Sequence, residues 1–288
     1  MPVHPKTTRK NRRGKRRPGR QQADTEFSRE EALLTQYIVD PREVPWKSGQ
    51  TEGITFQCQV FLSGADGGPE AIRFRFDPCR RVYAHMHLTS QFQLLLGGTM
   101  DFPKATMKLR PVAVHYADHN LPYGPFATGE GHEMLVLHPK QGGLVSMADR
   151  AARKQINLDG RQLVAMDKDR EWLEVLGHEG VRCKFLIPPG AGPEAMLLEC
   201  PPGWLMPVPV PTYGRYEVVL DGSIALAGQW LEAGGLRYVI GDEQPAPIEI
   251  GPGGARLMLL SFDADALAGG LGDDQLSRAA AEAIERAI

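Results

Sequence analysis

The feature that most constrains this chain is a repeat written into its own sequence. The segment PEAIRFRFDPCRRVYAHMHLTSQFQLLLGGTM, starting at Pro69, aligns without a gap on PEAMLLECPPGWLMPVPVPTYGRYEVVLDGSI, starting at Pro193, at an offset of 124 residues. Pro69-Glu70-Ala71 falls on Pro193-Glu194-Ala195, Pro78 on Pro202 and Gly98 on Gly222. Upstream, Glu52-Gly53-Ile54 answers Glu179-Gly180-Val181. Downstream, Gly131 before MLVL answers Gly254 before LMLL. One module therefore occurs twice, and 288 residues are enough for two domains with real cores.

The module reads as β-structure. From Trp46 onward, short or alternating apolar runs (ITFQCQVFL, AIRFRF, FQLLL, EMLVLH) are separated by turn-formers such as SGADGG, DPCRR and ATGEG. The 32 Gly and 23 Pro fit many short strands better than long helices. The expected organisation is an N-terminal β-domain over 23–138, a linker over 139–171 with a helical piece around SMADRAARKQ, a second β-domain over 172–262 and a terminal helix within 263–288. Ser28 with Glu31 forms a capping box ahead of Leu33, Leu34, Tyr37 and Ile38, predicting a short helix there.

Charge is unevenly placed. Nine Lys and Arg and no acidic residue fall within positions 1–20, leaving 24 basic against 35 acidic residues, about −11, for the rest. Residues 1–22 are expected to be a disordered basic arm, a solvated tail or a contact for nucleic acid. The acidic remainder argues against a nucleic-acid groove in the folded part. No stretch approaches the roughly 20 apolar residues of a membrane span, so a soluble, cytoplasmic protein is expected. Cys58, Cys79, Cys183 and Cys200 lack CxxC spacing and read as buried thiols rather than a zinc site or disulfide framework.

The first module carries His85-Met86-His87, three further residues, Gln91, six further residues and Gly98, followed by DHNLPYGP around Asp118–Pro125. This pattern resembles the first motif of the cupin family, HxH(x)3–4E(x)6G, and more loosely its second, PxGxxH. The resemblance implies an all-β fold of two tandem double-stranded jelly-roll barrels with short peripheral helices, a bicupin, with one divalent metal inside a barrel. It implies His85, His87 and Gln91 as metal ligands, Gln91 standing where the family has glutamate, and Tyr123 where the third histidine stands. Alternation along a strand independently puts His85 and His87 on one face. A Tyr123 phenolate would restore the charge lost at Gln91; a neutral phenol would instead donate to a substrate. Tyr123 is thus the catalytic candidate, and Gln93 joins it as substrate-binding. His115 is expected on the barrel exterior and His119 in a turn, both ordinary solvated histidines.

In the second module Pro209, Pro211 and Arg215 replace His85, His87 and Gln91, and Gln244-Pro245-Ala246-Pro247 replaces the Tyr123 region, so no ligand survives there. Met206, Val208 and Val210 are expected to line an apolar lumen or face the other barrel. What the resemblance implies functionally is a metal-dependent enzyme acting on a small molecule, with iron first among Fe, Mn, Ni, Cu and Zn. An oxygen-dependent, dioxygenase-like oxidoreductase is favoured over a lyase or isomerase. The alternative is a non-catalytic small-ligand sensor. A homodimer is a possible assembly, and the substrate is not legible.

Overall fold

A computed structural model describes residues 36–51, 54–103, 106–190 and 192–268. The basic arm, the capping box at Ser28 and nearly all of the expected terminal helix lie outside these residues, Ala264–Ala268 being the described helical part. Among the described residues no helix is long and apolar enough to cross a membrane.

The chain forms two antiparallel β-barrels. In the first, seven strands run in the order Gln162–Met166, Ala113–Ala117, Gln91–Gly98, His132–His138, Glu70–Phe76, Ile54–Ser63 and Lys47–Thr51. A smaller sheet of Arg81–Val82, Phe126–Ala127, Met100–Phe102 and Met107–Leu109 and the pair His85–His87 with Leu144–Ser146 make up its other sheets. The second barrel has a nine-stranded sheet whose centre is Arg215–Leu226, Ile248–Ser261 and Glu194–Cys200.

Both main sheets obey one rule of alternation, and it decides what each barrel holds. Phe92, Leu94, Val114, Tyr116, Leu135 and Leu137 of the first sheet meet Leu197, Tyr216, Val218, Leu236, Met258 and Leu260 of the second in one continuous buried core. The residues between them, such as Gln91, Gln93 and Leu95 on one strand, must then point into the barrel's own lumen. Tyr216 pins the junction: its hydroxyl lies 2.9 Å from the Glu70 carbonyl and 2.8 Å from that of His138.

The repeat is reproduced down to its irregularities. Leu96 is bulged between the pairs Leu95–Met134 and Gly97–Glu133, and Leu220 between Val219–Leu257 and Asp221–Arg256. Beside each bulge a glycine has a positive φ, Gly98 at 67° and Gly222 at 75°. A β-carbon on either would overlap the carbonyl oxygen of Gly131 or Gly254 respectively. The paired glycines of the two modules are therefore backbone-to-backbone contacts that no side chain can replace.

Three sequence expectations change. Tyr37 and Ile38 lie not in a helix but in the strand Gln36–Val39, antiparallel to Leu236–Val239, so this piece of the expected first domain completes the second sheet. Tertiary pairing outweighs the local apolar spacing here. The 139–171 segment is more than a linker, since Leu144–Ser146 pairs with His85–His87 and Gln162–Met166 extends the first sheet beyond Ala113–Ala117. Its helical piece is a single 3-10 turn, Ala152–Gln155. Val210 is not among the residues lining the second barrel's cavity and is 44 % exposed, whereas Met206 and Val208 are buried in the second barrel's core.

Two outcomes are expected. Gly98→Ala should destabilise the protein by more than about 2 kcal/mol in urea denaturation, because it forces a strained φ and a steric overlap together. Residues 172–288 expressed alone should be poorly soluble, since the fragment exposes the shared apolar face and lacks Gln36–Val39. A cooperatively folded, soluble fragment would contradict the shared core as the source of stability.

Candidate functional site

The two lumen-facing strands set the site's geometry through register. Gln93 pairs directly with His115, and His115 directly with Val164, two residues from Gln162 and therefore on its face of the strand. A cross-strand pair shares a face, so His115 points into the lumen with Gln93. The exterior position expected for it is overturned: it is 1 % exposed. The signal that could have found it is its two-residue spacing from Ala113 and Ala117, small residues that suit a crowded lumen.

These residues form one hydrogen-bonded chain. Gln162 Nε2 lies 2.9 Å from His115 Nε2, His115 Nδ1 lies 2.7 Å from Gln93 Oε1, and Gln93 Nε2 donates to the Tyr123 hydroxyl at 2.7 Å. His85 Nε2 lies 2.7 Å from the same hydroxyl, while His85 Nδ1 lies 2.7 Å from the Tyr83 carbonyl. Partner chemistry assigns the protons. The Tyr83 carbonyl only accepts, so His85 Nδ1 donates; in its neutral form Nε2 then accepts from Tyr123. Likewise Gln93 Oε1 only accepts, so His115 Nδ1 donates and its Nε2 accepts from Gln162. Every link points the same way, from Gln162 to Tyr83.

Burial keeps His115 and Tyr123 neutral. It pushes His115 down to about 3, with His85 adding to the shift. It pushes the Tyr123 phenol well above its ordinary value, against the hydrogen bonds from Gln91 and Gln93. Tyr123 is therefore a phenol, and the charge missing at Gln91 is not restored in the free protein.

His87 is less enclosed. Its ring centroid is 5.4 Å from that of His85, 6.2 Å from Tyr123 in a stacked arrangement and 4.9 Å from His138. Burial, then His138, His85 and His115, hold it well below the usual imidazole range. His87 Nδ1 and Gln91 Oε1 are buried atoms with no partner among the described residues. Behind His87, His138 Nδ1 bonds Thr89 Oγ1 at 3.0 Å, and His138 Nε2 lies 3.7 Å from Glu70 Oε2. Burial raises Glu70 to about 7 even though it accepts the Gly142 N–H. His119 lies in a turn, partly buried, with its N–H donating to Ser90 Oγ.

A pocket of about 370 Å³ opens onto the chain, lined by Phe102, Met107, Pro122, Tyr123 and Gln162 among others. Tyr123 and Gln162 are the chain members among its lining residues, and none of those residues is charged.

The donors at this site can be tested against a divalent ion. Two imidazoles with ring centroids 5.4 Å apart and the unpartnered Gln91 oxygen are donor types that suit a transition ion with a preference for nitrogen. No carboxylate joins them. Among the described residues no group of three or more His, Cys, Asp or Glu is arranged to hold an ion. The site is thus complete only if Gln91 or Tyr123 contributes.

The fold is that of two tandem antiparallel jelly-roll barrels, with His85, His87 and Gln91 in the first where Pro209, Pro211 and Arg215 stand in the second. No family model matches the sequence, and no curated protein matches it. Solved structures do match. A candidate dioxygenase from Nostoc punctiforme is 15% identical, with a TM-score of 0.62 over 83% of this chain and 87% of that one. An oxalate decarboxylase variant from Bacillus subtilis is 12% identical, with a TM-score of 0.55 over 79% and 77%. The oxalate decarboxylase of Lactobacillus farciminis, solved with formate, is 10% identical, with a TM-score of 0.56 over 79% and 86%. At such identities the likeness is one of fold.

The buried histidines predict acid sensitivity. His115 and His132, held near 3 and 4 by burial, are neutral when folded and titrate near 6.5 when unfolded. The unfolded chain therefore binds more protons below that value, and their stabilisation, present above pH 6.5, should fade as pH drops toward 4. Glu70 works oppositely, its raised value favouring the folded state below about 7. In urea titrations at successive pH values, His115→Gln should flatten the fall between pH 6.5 and 4. An unchanged slope would show that His115 is not held neutral.

Proposed function

We propose that the first barrel is the active centre of a metal-dependent small-molecule enzyme, and specifically an oxygen-dependent oxidoreductase of the dioxygenase kind. The observation that carries this reading is the grouping around Tyr123, which also lines an open pocket: His85 Nε2 on its hydroxyl, the His87 ring stacked 6.2 Å from its own, and Gln91 bonded to it with its amide oxygen unpartnered among the described residues. His85, His87 and Gln91 would hold the ion, iron first among Fe, Mn, Ni, Cu and Zn. When bound, it would polarise a substrate oxygen and, as iron, support chemistry with dioxygen.

The protein's own groups then have separate tasks. The Tyr83 carbonyl fixes the His85 tautomer and leaves Nε2 free of a proton, as a ligand must be. Gln93 donates to the Tyr123 oxygen and so directs the phenol proton away from itself, toward His85 or an oxygen of a bound substrate. His115 holds the Gln93 amide in that orientation. Phe102, Met107 and Val164 give the pocket an apolar wall that favours a largely uncharged, planar or compact substrate.

A second reading has its own support. The chain from Gln162 to Tyr83 is satisfied without any ion, as a lumen built to hydrogen-bond a neutral ligand would be. Metal content separates the two.

Protein purified without chelators should contain, or take up, one equivalent of Fe(II), Mn(II), Ni(II), Cu(II) or Zn(II) by elemental analysis, and should consume oxygen with aromatic or keto-acid substrates. His85→Ala should lower metal affinity by about tenfold or more without unfolding the barrel. Gln91→Glu should raise it by supplying a carboxylate. Tyr123→Phe should cut turnover more than metal content, by about a hundredfold if the phenol moves a proton. Failure to bind any of the five ions would leave the ligand-binding reading in its place.

A further inference from the structure

The second barrel has a cavity of its own, about 310 Å³, which lies apart from the first-barrel site and does not depend on how that site is read. Alternation builds it. Cys183, Phe185, Met196, Leu198 and Leu259 are the residues turned away from the shared core, and with Met206 they give the cavity an apolar wall. At one end Glu194, Pro209, Arg215 and Ser261 also line an adjoining cleft of about 620 Å³, so the cavity has a polar mouth.

The mouth reuses the ladder positions of the first barrel with different chemistry. Arg215 stands where Gln91 does and Glu194 where Glu70 does. Arg215 and Glu194 each pair with Ser261, from opposite sides, so a cation and an anion flank one position on the same face. Two strand spacings separate their backbones, roughly 10 Å, leaving room for a small group between the side chains.

Arg215 is only 4% exposed, and the one carboxylate it pairs with among the described residues is shared with a second guanidinium. Its Nε donates to Glu217 Oε1 at 3.0 Å, and its Nη2 lies 2.9 Å from the same oxygen and donates to the Pro209 carbonyl at 3.0 Å. Arg237 also donates to Glu217, through Nε at 2.7 Å. Two guanidiniums thus share one carboxylate, and Arg215 Nη1 has no bond among the described residues. A buried excess of positive charge favours an anion at this place. Glu194, partly exposed on the rim, has no ion pair among the described residues, and Asp263 in the cleft is already held by Arg161 at 2.7 Å.

A cation, an anion and an apolar hollow around one point match one ligand chemistry. We propose that the second barrel binds a free apolar α-amino acid, with its carboxylate on Arg215, its ammonium on Glu194 and its side chain between Met196, Leu198 and Phe185. The cavity lies at the small end of the range for ligand sites, in keeping with so small a molecule.

Calorimetric titration of the full chain with L-leucine, L-methionine and L-phenylalanine tests this, with the N-acetyl derivative and the amide of the tightest binder as controls. At least one amino acid should bind about tenfold more tightly than either control, as loss of a charged hydrogen-bonded contact implies. Glu194→Gln, on the rim where folding is little affected, should remove the preference over the N-acetyl form. Arg215→Met should remove the preference over the amide. Binding should persist in His85→Ala, which separates this site from the first barrel. The proposal is overturned if no amino acid binds up to about 10 mM, where a millimolar Kd would still register. Controls that bind as tightly as the amino acid, or binding lost in His85→Ala, would overturn it too.

Discussion

Face-to-face packing of the two main sheets governs the rest of the molecule. Once Phe92, Leu94, Tyr116, Leu135 and Leu137 are committed to the core shared with Leu197, Tyr216, Val218 and Met258, strand alternation leaves no freedom for the residues between them. Gln91, Gln93, His115 and His138 must face the first lumen, and Met196, Leu198, Arg215 and Leu259 the second. The chemistry of each barrel follows from its structural wall, because a shift of one residue would bury the polar set in the apolar core.

The two lumens solve the problem of buried polarity in opposite ways. In the first, several imidazoles and amides are enclosed, and burial keeps them neutral. Uncharged groups can satisfy one another at moderate cost, as the chain from Gln162 to the Tyr83 carbonyl does. Two atoms unpartnered among the described residues, Gln91 Oε1 and His87 Nδ1, belong to side chains beside Tyr123, and that is where an added group gains most. In the second, apolar side chains fill much of the space, and the polar investment is concentrated in ionic groups, Arg215, Glu217 and Arg237, at its edge. A gene that doubled one barrel has therefore kept the frame, bulge for bulge, while the interior surfaces diverged.

The retained frame is itself explained by backbone physics. Gly98 and Gly222 pack against the carbonyls of Gly131 and Gly254 with positive φ, so these positions tolerate no side chain whatever the lumen contains. Lumen residues face a cavity whose contents can vary. That difference in constraint is why the repeat is legible through its prolines and glycines rather than through His85 and His87.

The sequence by itself determined the doubled β-module, the alternation of its strands, and the grouping of His85, His87, Gln91, Gln93 and Tyr123, because period-two patterning and motif spacing are local properties of the chain. Local spacing also misled at Tyr37 and Ile38, whose apolar pattern suits a helix until the free edge of Leu236–Val239 offers hydrogen bonds to a strand. Only the tertiary structure decided that His115 faces inward, since its face is set by pairing with Gln93 twenty-two residues away. Only it could bring Gln162 of the supposed linker to the end of the same chain, or place Glu194 and Arg215 on either side of Ser261. Such contacts join residues distant in sequence, and their geometry depends on register, which no window of neighbouring residues encodes.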